Sequence, residues 1–182
     1  MSALPLTPGA WVLDPNHSAV TFKVRHLGLT NVRGRFNRFT ATLHVGDSLA
    51  DTSLEASIEI ASIDTNQADR DAHLLSTDFF SAESHPTITF TSTSIVGSGG
   101  DFTVDGQLTI NGISLPASLQ VEFNGVEVFV VDGTEHAGFV ATTIVNRDDY
   151  GIDFNMPLGI DKVALGQKIS VEIDAQFVAP AG

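Results

Sequence analysis

Cysteine is absent from the 182-residue chain, and lysine and arginine are scarce. The missing cysteine excludes disulfides, thiol nucleophiles and thiolate metal sites. Nine lysines and arginines stand against 22 aspartates and glutamates, a net charge of −13, which argues against general nucleic-acid binding because phosphate neutralisation dominates that affinity. No stretch approaches the ~20 apolar residues that a membrane-spanning helix needs. The first residues also lack a secretory signal, so we expect a cytoplasmic protein.

The few basic residues are concentrated in one segment. Between Pro15 and Gly46 there is no acidic residue, whereas five of the nine basic residues lie there: Lys23, Arg25, Arg33, Arg35 and Arg38. This basic 23–38 strip has two interpretations. It is either a solvated strand face or a docking patch for an anionic surface such as a membrane.

Alternation of apolar and polar residues is the main pattern of the chain. In the segment 19–27, Val20, Phe22, Val24 and His26 share one face, which is typical of a half-buried strand. The same alternation recurs at 53–62, 87–96, 101–110, 115–123, 126–131, 136–145 and 168–177. Short turn signals, among them Asn124-Gly125, separate these segments. The pattern predicts an all-β protein.

Between Val32 and Val45 the apolar parity shifts, which predicts a bulge or bend near Asn37. Strands with one apolar and one polar face, joined by short connections, form a sandwich or close into a barrel. Closure leaves no exposed strand edge. We therefore predict a single eight-stranded antiparallel barrel in residues 11–179, preceded by a tail at 1–10.

Two segments interrupt the alternation. Asp64 and Gln67 have the spacing of a capping box, and no proline or glycine follows for ten residues, so we expect a short helix over 65–75. The segment 146–161 contains glycine and proline together with Tyr150, Phe154 and Met156. It is typical of a packed loop.

The helical segment carries the candidate chemistry. Arg70, His73 and Leu74 share one helix face. One hypothesis makes His73 a general base oriented by a carboxylate. The other makes Arg70 and Asp71 a polar clasp onto strand ends or loop carbonyls, while the apolar run 74–80 covers an open barrel end. The clasp is favoured because no nucleophile accompanies His73, so we assign no catalytic residue.

The six histidines do not have metal-ligand spacing. Neither H-x-x-x-H on a helix nor H-x-H on a strand occurs, and we predict no metal site. His17 follows an Asp-Pro pair and is expected to hold that turn to the first strand. His26 shares the parity of Val24, which places a polar group at the end of an apolar wall.

Five blocks of sequence resemble a known family. They are LDPNHSAVTFKVRHLG, VRGRFNRF, SIDTNQADRDAHLLSTDFFSAESHPTITFTST, GQLTINGISLP and NRDDYGI. In this order they are similar to the YceI-like proteins, the lipocalin-like polyisoprenoid-binding family, from Trp11 to Phe177. The resemblance implies an eight-stranded antiparallel barrel with one short helix and an elongated apolar lumen. It also implies a long isoprenoid or other lipid chain in that lumen, a link to isoprenoid quinones, homodimers, and no catalytic residue.

An eight-stranded barrel is large enough to hold a ligand. Eight strands enclose an interior that is either just filled by side chains or able to hold one small ligand. Gly34, Ala56, Gly106 and Ala117 lie among the inferred inward residues, so we expect space inside. Strands of ~10 residues tilted by ~40° give a lumen on the order of 25 Å long, which suits a chain better than a compact metabolite.

These observations predict a protein that binds a polyisoprenoid or related long-chain amphiphilic lipid for storage or transport. The expected ligand-binding residues are Val20, Phe22, Val24, His26, Phe36, Ile58, Arg70, His73, Leu74, Phe79, Phe90, Phe102 and Leu108. We expect no cofactor other than the lipid itself. Expected partners are the lipid, an anionic membrane in transient contact, and a second copy of the chain. Two alternatives stay open: an enzyme on an isoprenoid lipid with His73 as base, and a membrane-surface adaptor that uses the basic 23–38 strip.

Overall fold

The computed structural model describes residues 3–155, 157–159, 162–163 and 165–181. Its helix α1 spans Ala68–Leu74, and single 3-10 turns lie at Pro15–His17, Leu49–Asp51, Ile60–Ser62 and Arg147–Tyr150. The strands are β1 (Gly9–Leu13), β2 (Ala19–His26), β3 (Thr30–Phe36), β4 (Phe39–Val45), β5 (Ser53–Glu59), β6 (Ile63–Asp64), β7 (Thr87–Ser98), β8 (Asp101–Ile110), β9 (Ile113–Phe129), β10 (Thr134–Asn146), β11 (Pro157–Gly159), β12 (Lys162–Val163) and β13 (Leu165–Val178).

The strands close into a barrel. Short breaks divide three long strands, so that β1 continues into β2, β3 into β4 and β5 into β6. Counted in this way over the described residues, eight antiparallel strands follow one another around the barrel. The seam is closed by β13, which pairs with β2 and, at Val12↔Val178 and Leu13↔Phe177, with β1. The prediction of an all-β, eight-stranded, lipocalin-like barrel with one short helix is confirmed.

The bend predicted near Asn37 is also confirmed. β3 ends at Phe36 and β4 begins at Phe39. The Asn37 backbone N–H donates to the Ser62 carbonyl at 3.1 Å, outside the regular ladder. Phe36 and Phe39 both reach the lumen although three positions separate them. The irregularity therefore resets the inward parity of the strand, as the shift in the sequence pattern indicates.

The prediction of a turn at Asn124-Gly125 is wrong. β9 runs without reversal through this dipeptide, and the register passes from Gly138↔Gly125 to Phe139↔Phe123 with Asn124 left over. A bulge of this kind inserts one unpaired residue and bends the strand. The φ of +110° at Gly125 is accessible to glycine and lets the backbone make this bulge while pairing with β10 continues.

Helix α1 is shorter than expected, and the residue that caps it differs. The Gln67 side chain accepts a hydrogen bond from the Arg70 backbone N–H at 2.9 Å, so Gln67 is the N-cap. Asp64 ends β6 opposite Arg35, and its carboxylate accepts from the Asn66 N–H instead. The short helix is confirmed, but its expected start at residue 65 and the capping box at Asp64 are wrong, because strand pairing already fixes the backbone of Asp64.

The barrel has two ends with different covers. At the helix end lie the β2–β3 hairpin, the segment 65–86 with α1, the β8–β9 hairpin and residues 147–155. At the opposite end, named the tail end, residues 3–8 fold against the barrel. Leu4 and Leu6 are buried there and join the core around Trp11, whose indole N–H donates to the Thr7 carbonyl at 2.8 Å.

The described part of the expected tail at 1–10 is thus packed, and β1 already begins at Gly9. The segment 146–161, expected to be an irregular packed loop, contains a 3-10 turn and β11, which pairs with β12. Residues 1, 2, 156, 160 and 161 of these two segments lie outside the described residues. In the described parts of the chain, no helix is long and apolar enough to cross a membrane.

Candidate ligand-binding site

The barrel encloses a cavity of about 650 Å³. This volume lies within the roughly 300–1,000 Å³ of typical small-molecule sites. All thirteen residues predicted from the sequence to bind the ligand lie on its wall. The inward face inferred for Val20, Phe22, Val24 and His26 therefore agrees with the structure, whereas their contact with a ligand stays a prediction.

Partial exposure of inward side chains shows where the interior is hollow. Phe22, Ile58, Leu108 and Val171 line the cavity and yet are only partly buried, because they face open space. Toward the tail end the rings of Phe123, Phe139 and Phe177 are in successive contact at centroid distances of 5.1 and 5.9 Å. Residues at both ends of the barrel line the cavity, so the free space runs along the barrel axis.

Two glycines do not supply this space, contrary to expectation. A Cβ at Gly34 would lie 2.3 Å from Cζ of Phe22, and one at Gly106 would lie 2.5 Å from Cζ of Phe90. Each glycine therefore carries the aromatic ring of the neighbouring strand on its inner surface. The sequence shows the missing side chain but not the ring that fills its place.

Polar side chains of the cavity wall are concentrated at the helix end. Those contributed by the covers and strand ends there are His26, Thr65, Arg70, His73, Arg147, Tyr150 and Asn155. Elsewhere on the wall, the described residues are apolar apart from Thr40 and Thr143. The cavity thus has an amphiphilic profile along the barrel axis, with one polar end and a long apolar remainder.

Arg70 and Asp71 both bind the residue that follows β6. The Arg70 guanidinium donates to Oγ1 of Thr65 at 2.8 Å and to its carbonyl at 2.7 Å. The Asp71 carboxylate accepts from the Thr65 N–H at 2.9 Å and from its hydroxyl. The predicted polar clasp is confirmed, and it fixes α1 to the end of a barrel strand.

His73 is held by a carboxylate and two aromatic rings. Its Nε2 lies 2.8 Å from the Asp78 carboxylate. The rings of Phe79 and Phe154 meet it edge-on, each at a centroid distance of 5.1 Å, and they touch one another at 5.3 Å. Within the described residues no hydroxyl group hydrogen-bonds to this imidazole. The geometry joins the cover 65–86 to the cover 147–155 and provides no nucleophile.

Arg147 is a site residue that the sequence does not reveal. Only 5 % of it is exposed, and it lines the cavity. Its guanidinium donates to the carbonyls of Ile152, Phe154 and Gly166 at 2.8–2.9 Å, and more weakly to that of Leu165 at 3.3 Å. These bonds tie the segment 147–155 to the start of β13.

The charge of Arg147 has no carboxylate partner in direct contact among the described residues. Burial lowers the pKa of its guanidinium, and the nearby Asp148 and Asp153 oppose that shift. Arginine is usually exposed, so the sequence gives no reason to expect a buried residue at position 147. The nearest available signal was the presence of apolar residues around that position.

Tyr150 is the single tyrosine of the chain and is 4 % exposed. Burial raises the pKa of its phenol above 10.0, and the Asp149 carboxylate adds to the shift. The Tyr150 carbonyl accepts from the Asn111 side chain at 3.0 Å, which links this segment to the β8–β9 hairpin. Tyr150 is thus a fixed neutral group at the polar end of the cavity.

The remaining histidines do not assemble a metal site. No group of three or more His, Asp or Glu side chains converges within the described ranges. His17 Nδ1 lies 2.7 Å from the Asp14 carboxylate, and this bond lowers the pKa of Asp14. This bond lies within the Asp-Pro turn itself, and the prediction that His17 holds the turn to the first strand stays a prediction.

Comparison with known proteins gives a consistent result. Residues 11–177 match the sequence profile of a family described as YceI-like domain. A UPF0312 protein of Staphylococcus epidermidis is 39% identical over 166 residues, which cover 90% of this chain and 94% of the relative. The crystal structure of Burkholderia cenocepacia BcnA superposes with a TM-score of 0.77 at 20% identity, covering 92% of this chain and 99% of BcnA.

A polyisoprenoid binding domain from Saccharophagus degradans, implicated in plant cell wall breakdown, has the same fold. Its TM-score is 0.69 at 15% identity, and the superposition covers 93% of this chain and 98% of that domain. At this identity the likeness concerns the barrel alone.

Proposed function

The chain belongs to the YceI-like family, and from that premise we propose that it binds a polyisoprenoid or related long-chain amphiphilic lipid, for storage or transport. One observation carries the proposal. The closed barrel contains a cavity of about 650 Å³ that is apolar along most of its wall and polar at one end. A long apolar chain with one polar head has the same distribution of polarity.

The polar head lies at the helix end in this proposal. Arg70, His73 and Arg147 supply N–H donors there, whereas the apolar chain extends toward Phe102 and the tail end. Arg70 and Arg147 have no carboxylate in direct contact among the described residues, which favours a head group that accepts hydrogen bonds, such as the carbonyl groups of an isoprenoid quinone. The polyisoprenoid-binding name of the Saccharophagus degradans domain supports the same class of ligand.

Burial of an apolar chain is sufficient for tight lipid binding, without a covalent bond. Each buried methylene contributes about 0.8 kcal/mol, so a tail of ~15 carbons gains roughly 12 kcal/mol before ordering costs of several kcal/mol. The His73–Asp78 pair is assigned to the connection between the two covers, and no observation favours turnover of the lipid. We therefore assign binding rather than an enzymatic reaction.

Other parts of the proposal concern partners and location. A lipid of this kind resides in membranes, so loading requires transient contact with a bilayer surface. A homodimer and a cytoplasmic location stay predictions from the sequence. Analytical ultracentrifugation tests the homodimer, and fractionation of native cells tests the location.

The test of ligand binding begins with the lipids that co-purify from native cells. Mass spectrometry of the extract is expected to show a long-chain isoprenoid at a fixed ratio to protein. Ala56→Phe fills the lumen and should remove the lipid, whereas Glu55→Phe, on the outer face of the same strand, should keep it. Equal lipid content in both variants, or no lipid in the wild type and no binding of an added isoprenoid quinone, overturns the proposal.

A second variant tests the inward wall directly. Phe22→Asp places a charge in the apolar cavity, so affinity for the isoprenoid should be lost because burial of an unpaired charge is unfavourable. Circular dichroism reports whether this variant folds. Unchanged affinity in a folded Phe22→Asp protein contradicts binding in the lumen.

A further inference from the structure

The β2–β3 hairpin is apolar at its tip and basic along its outer face. Leu29 is 74% exposed and Leu27 42%, although both are large apolar residues. They lie directly beyond His26, which lines the cavity at the helix end. The tip therefore projects into solvent beside the polar end of the lumen.

The sequence of the turn that carries these leucines is not the one that best stabilises its backbone conformation. Leu27 and Gly28 have φ values of +56° and +68°, and the Leu29 N–H donates to the His26 carbonyl at 3.0 Å. Such a turn favours asparagine at its first central position, and a bulky residue with positive φ is unfavourable. Neither the turn geometry nor burial accounts for a leucine at position 27.

The outer face of the hairpin carries like charges opposite each other. Lys23 is the direct cross-strand neighbour of Arg33, and Arg25 and Arg35 lie on the same exposed face. Like charges in this position destabilise a strand pair. Among the described residues, none of these four side chains forms an ion pair, whereas Arg38 of the same strip is bound to Glu59. Asp64 and Glu172 lie on the outer face near Arg35, away from the tip.

We propose that the β2–β3 hairpin docks the barrel on an anionic lipid bilayer, with Leu27 and Leu29 inserted and the basic side chains against the lipid head groups. The inference rests on the proposed function and specifies its membrane partner. Contact of this kind places the polar end of the cavity against the surface from which a lipid is collected. Basic residues near an anionic bilayer and inserted apolar side chains act together in such binding.

A second apolar tip serves as an internal comparison. The β9–β10 hairpin at the tail end exposes Val130 by 91% and Val131 by 79%. Its neighbours Glu127, Asp132 and Glu135 are acidic, so an anionic bilayer repels it. The charges thus select one of two exposed tips, and the other provides a matched control.

The experiment measures co-sedimentation with phosphatidylcholine vesicles, with and without phosphatidylglycerol, at low and high salt. Wild-type protein should bind the anionic vesicles and be released by salt. Lys23→Gln with Arg33→Gln should lower partitioning by roughly fivefold for each charge removed. Leu27→Asn with Leu29→Ser should also lower it, although asparagine suits the turn and thermal stability should not fall. Val130→Ser with Val131→Ser should bind like the wild type.

Insertion of the hairpin tip is measured separately. Because the chain has no native cysteine, a dye can be attached to one introduced cysteine. An environment-sensitive dye on Leu29→Cys should shift its emission to the blue on anionic vesicles, and the same dye on Val130→Cys should not. Equal partitioning of the wild-type protein onto neutral and anionic vesicles overturns the inference. An acidic protein surface would then be the remaining partner for the basic hairpin. Equal losses in the tip variant and in the Val130/Val131 control overturn it as well.

Binding of an isoprenoid quinone in detergent separates this inference from the proposed function. Wild-type protein that binds the quinone but no vesicle contradicts membrane docking alone. Protein that binds anionic vesicles through the hairpin but no isoprenoid contradicts the lipid-carrier function and retains the docking surface.

Discussion

The ring of Phe22 covers Gly34 on the neighbouring strand of the barrel. The two residues are cross-strand partners of β2 and β3, and a Cβ at position 34 would lie 2.3 Å from Phe22 Cζ. The position of the ring, and with it the width of the lumen, therefore depends on the missing side chain of Gly34. This is a packing relationship between adjacent strands and not a requirement of backbone conformation.

Gly34→Ala should push the Phe22 ring into the lumen. Overpacking of this kind costs about 1–3 kcal/mol in the free energy of unfolding, and it should also weaken lipid binding. Adding Phe22→Leu should recover part of the loss, which a double-mutant cycle in urea measures. Gly138→Ala is the control, because the nearest atom to its new Cβ is 3.7 Å away. Equal costs at positions 34 and 138 would contradict the packing argument.

Arg147→Met should destabilise the fold strongly. The substitution leaves the carbonyls of Ile152, Phe154 and Gly166 without their charged donor, at a cost of ~3 kcal/mol or more. Limited proteolysis should then cleave within 147–155. Arg25→Met, at an exposed arginine, should change the unfolding free energy by less than ~0.5 kcal/mol. Similar effects of both variants would show that the buried hydrogen bonds contribute little.

Tyr150 reports on the lumen through its own titration. Burial raises its pKa above 10.0, so the folded state favours the neutral phenol. The stability gained in this way is present below pH 10.0 and is lost as the pH rises through the folded-state pKa. Because the chain has one tyrosine, ultraviolet absorbance follows this group alone.

A bound isoprenoid should raise the Tyr150 pKa further, since an apolar chain excludes water from the cavity. Tyr150→Phe should abolish the absorbance change and make alkaline unfolding less steep. An ordinary pKa that does not respond to the lipid would place the phenol outside the ligand-filled space.

His73→Ala should retain the fold and most of the lipid affinity. The substitution removes the bond to Asp78 and the ring contacts with Phe79 and Phe154, so the covers should separate more readily. We therefore expect faster lipid release at nearly constant equilibrium affinity, measured by stopped-flow exchange with a fluorescent isoprenoid. Unchanged exchange together with loss of a lipid-modifying reaction would support the enzymatic alternative.

The barrel and most of its inner wall were predictable because alternation along a strand determines which residues face inward. Val20, Phe22 and Val24 follow this rule, and the parity shift at Asn37 marks the bend. Arg147 was not predictable, because its acceptors are carbonyls brought together only by the tertiary fold. The Asn124-Gly125 bulge was missed for a related reason, as the same dipeptide also makes turns.

The interior of the lumen was predicted only in outline. Gly34 and Gly106 indicate space in a sequence, whereas the structure shows that Phe22 and Phe90 occupy it. The observed start of helix α1 differs from the predicted one because Asp64 pairs in the sheet opposite Arg35. Local propensity does not contain either of these contacts.

The seam between β1 and β13 has a consequence for how the chain acquires its structure. Counted as eight strands, the barrel otherwise pairs sequence neighbours, whereas β2, and Leu13 of β1, meet β13 across most of the chain. During synthesis the sheet therefore keeps two unpaired edges, and its apolar inner face stays accessible, until the residues of β13 emerge from the ribosome. Long-range closure of this kind is slow, and open edges promote aggregation. Nascent chains that stop before β13 are expected to need chaperone protection, since they cannot close the barrel.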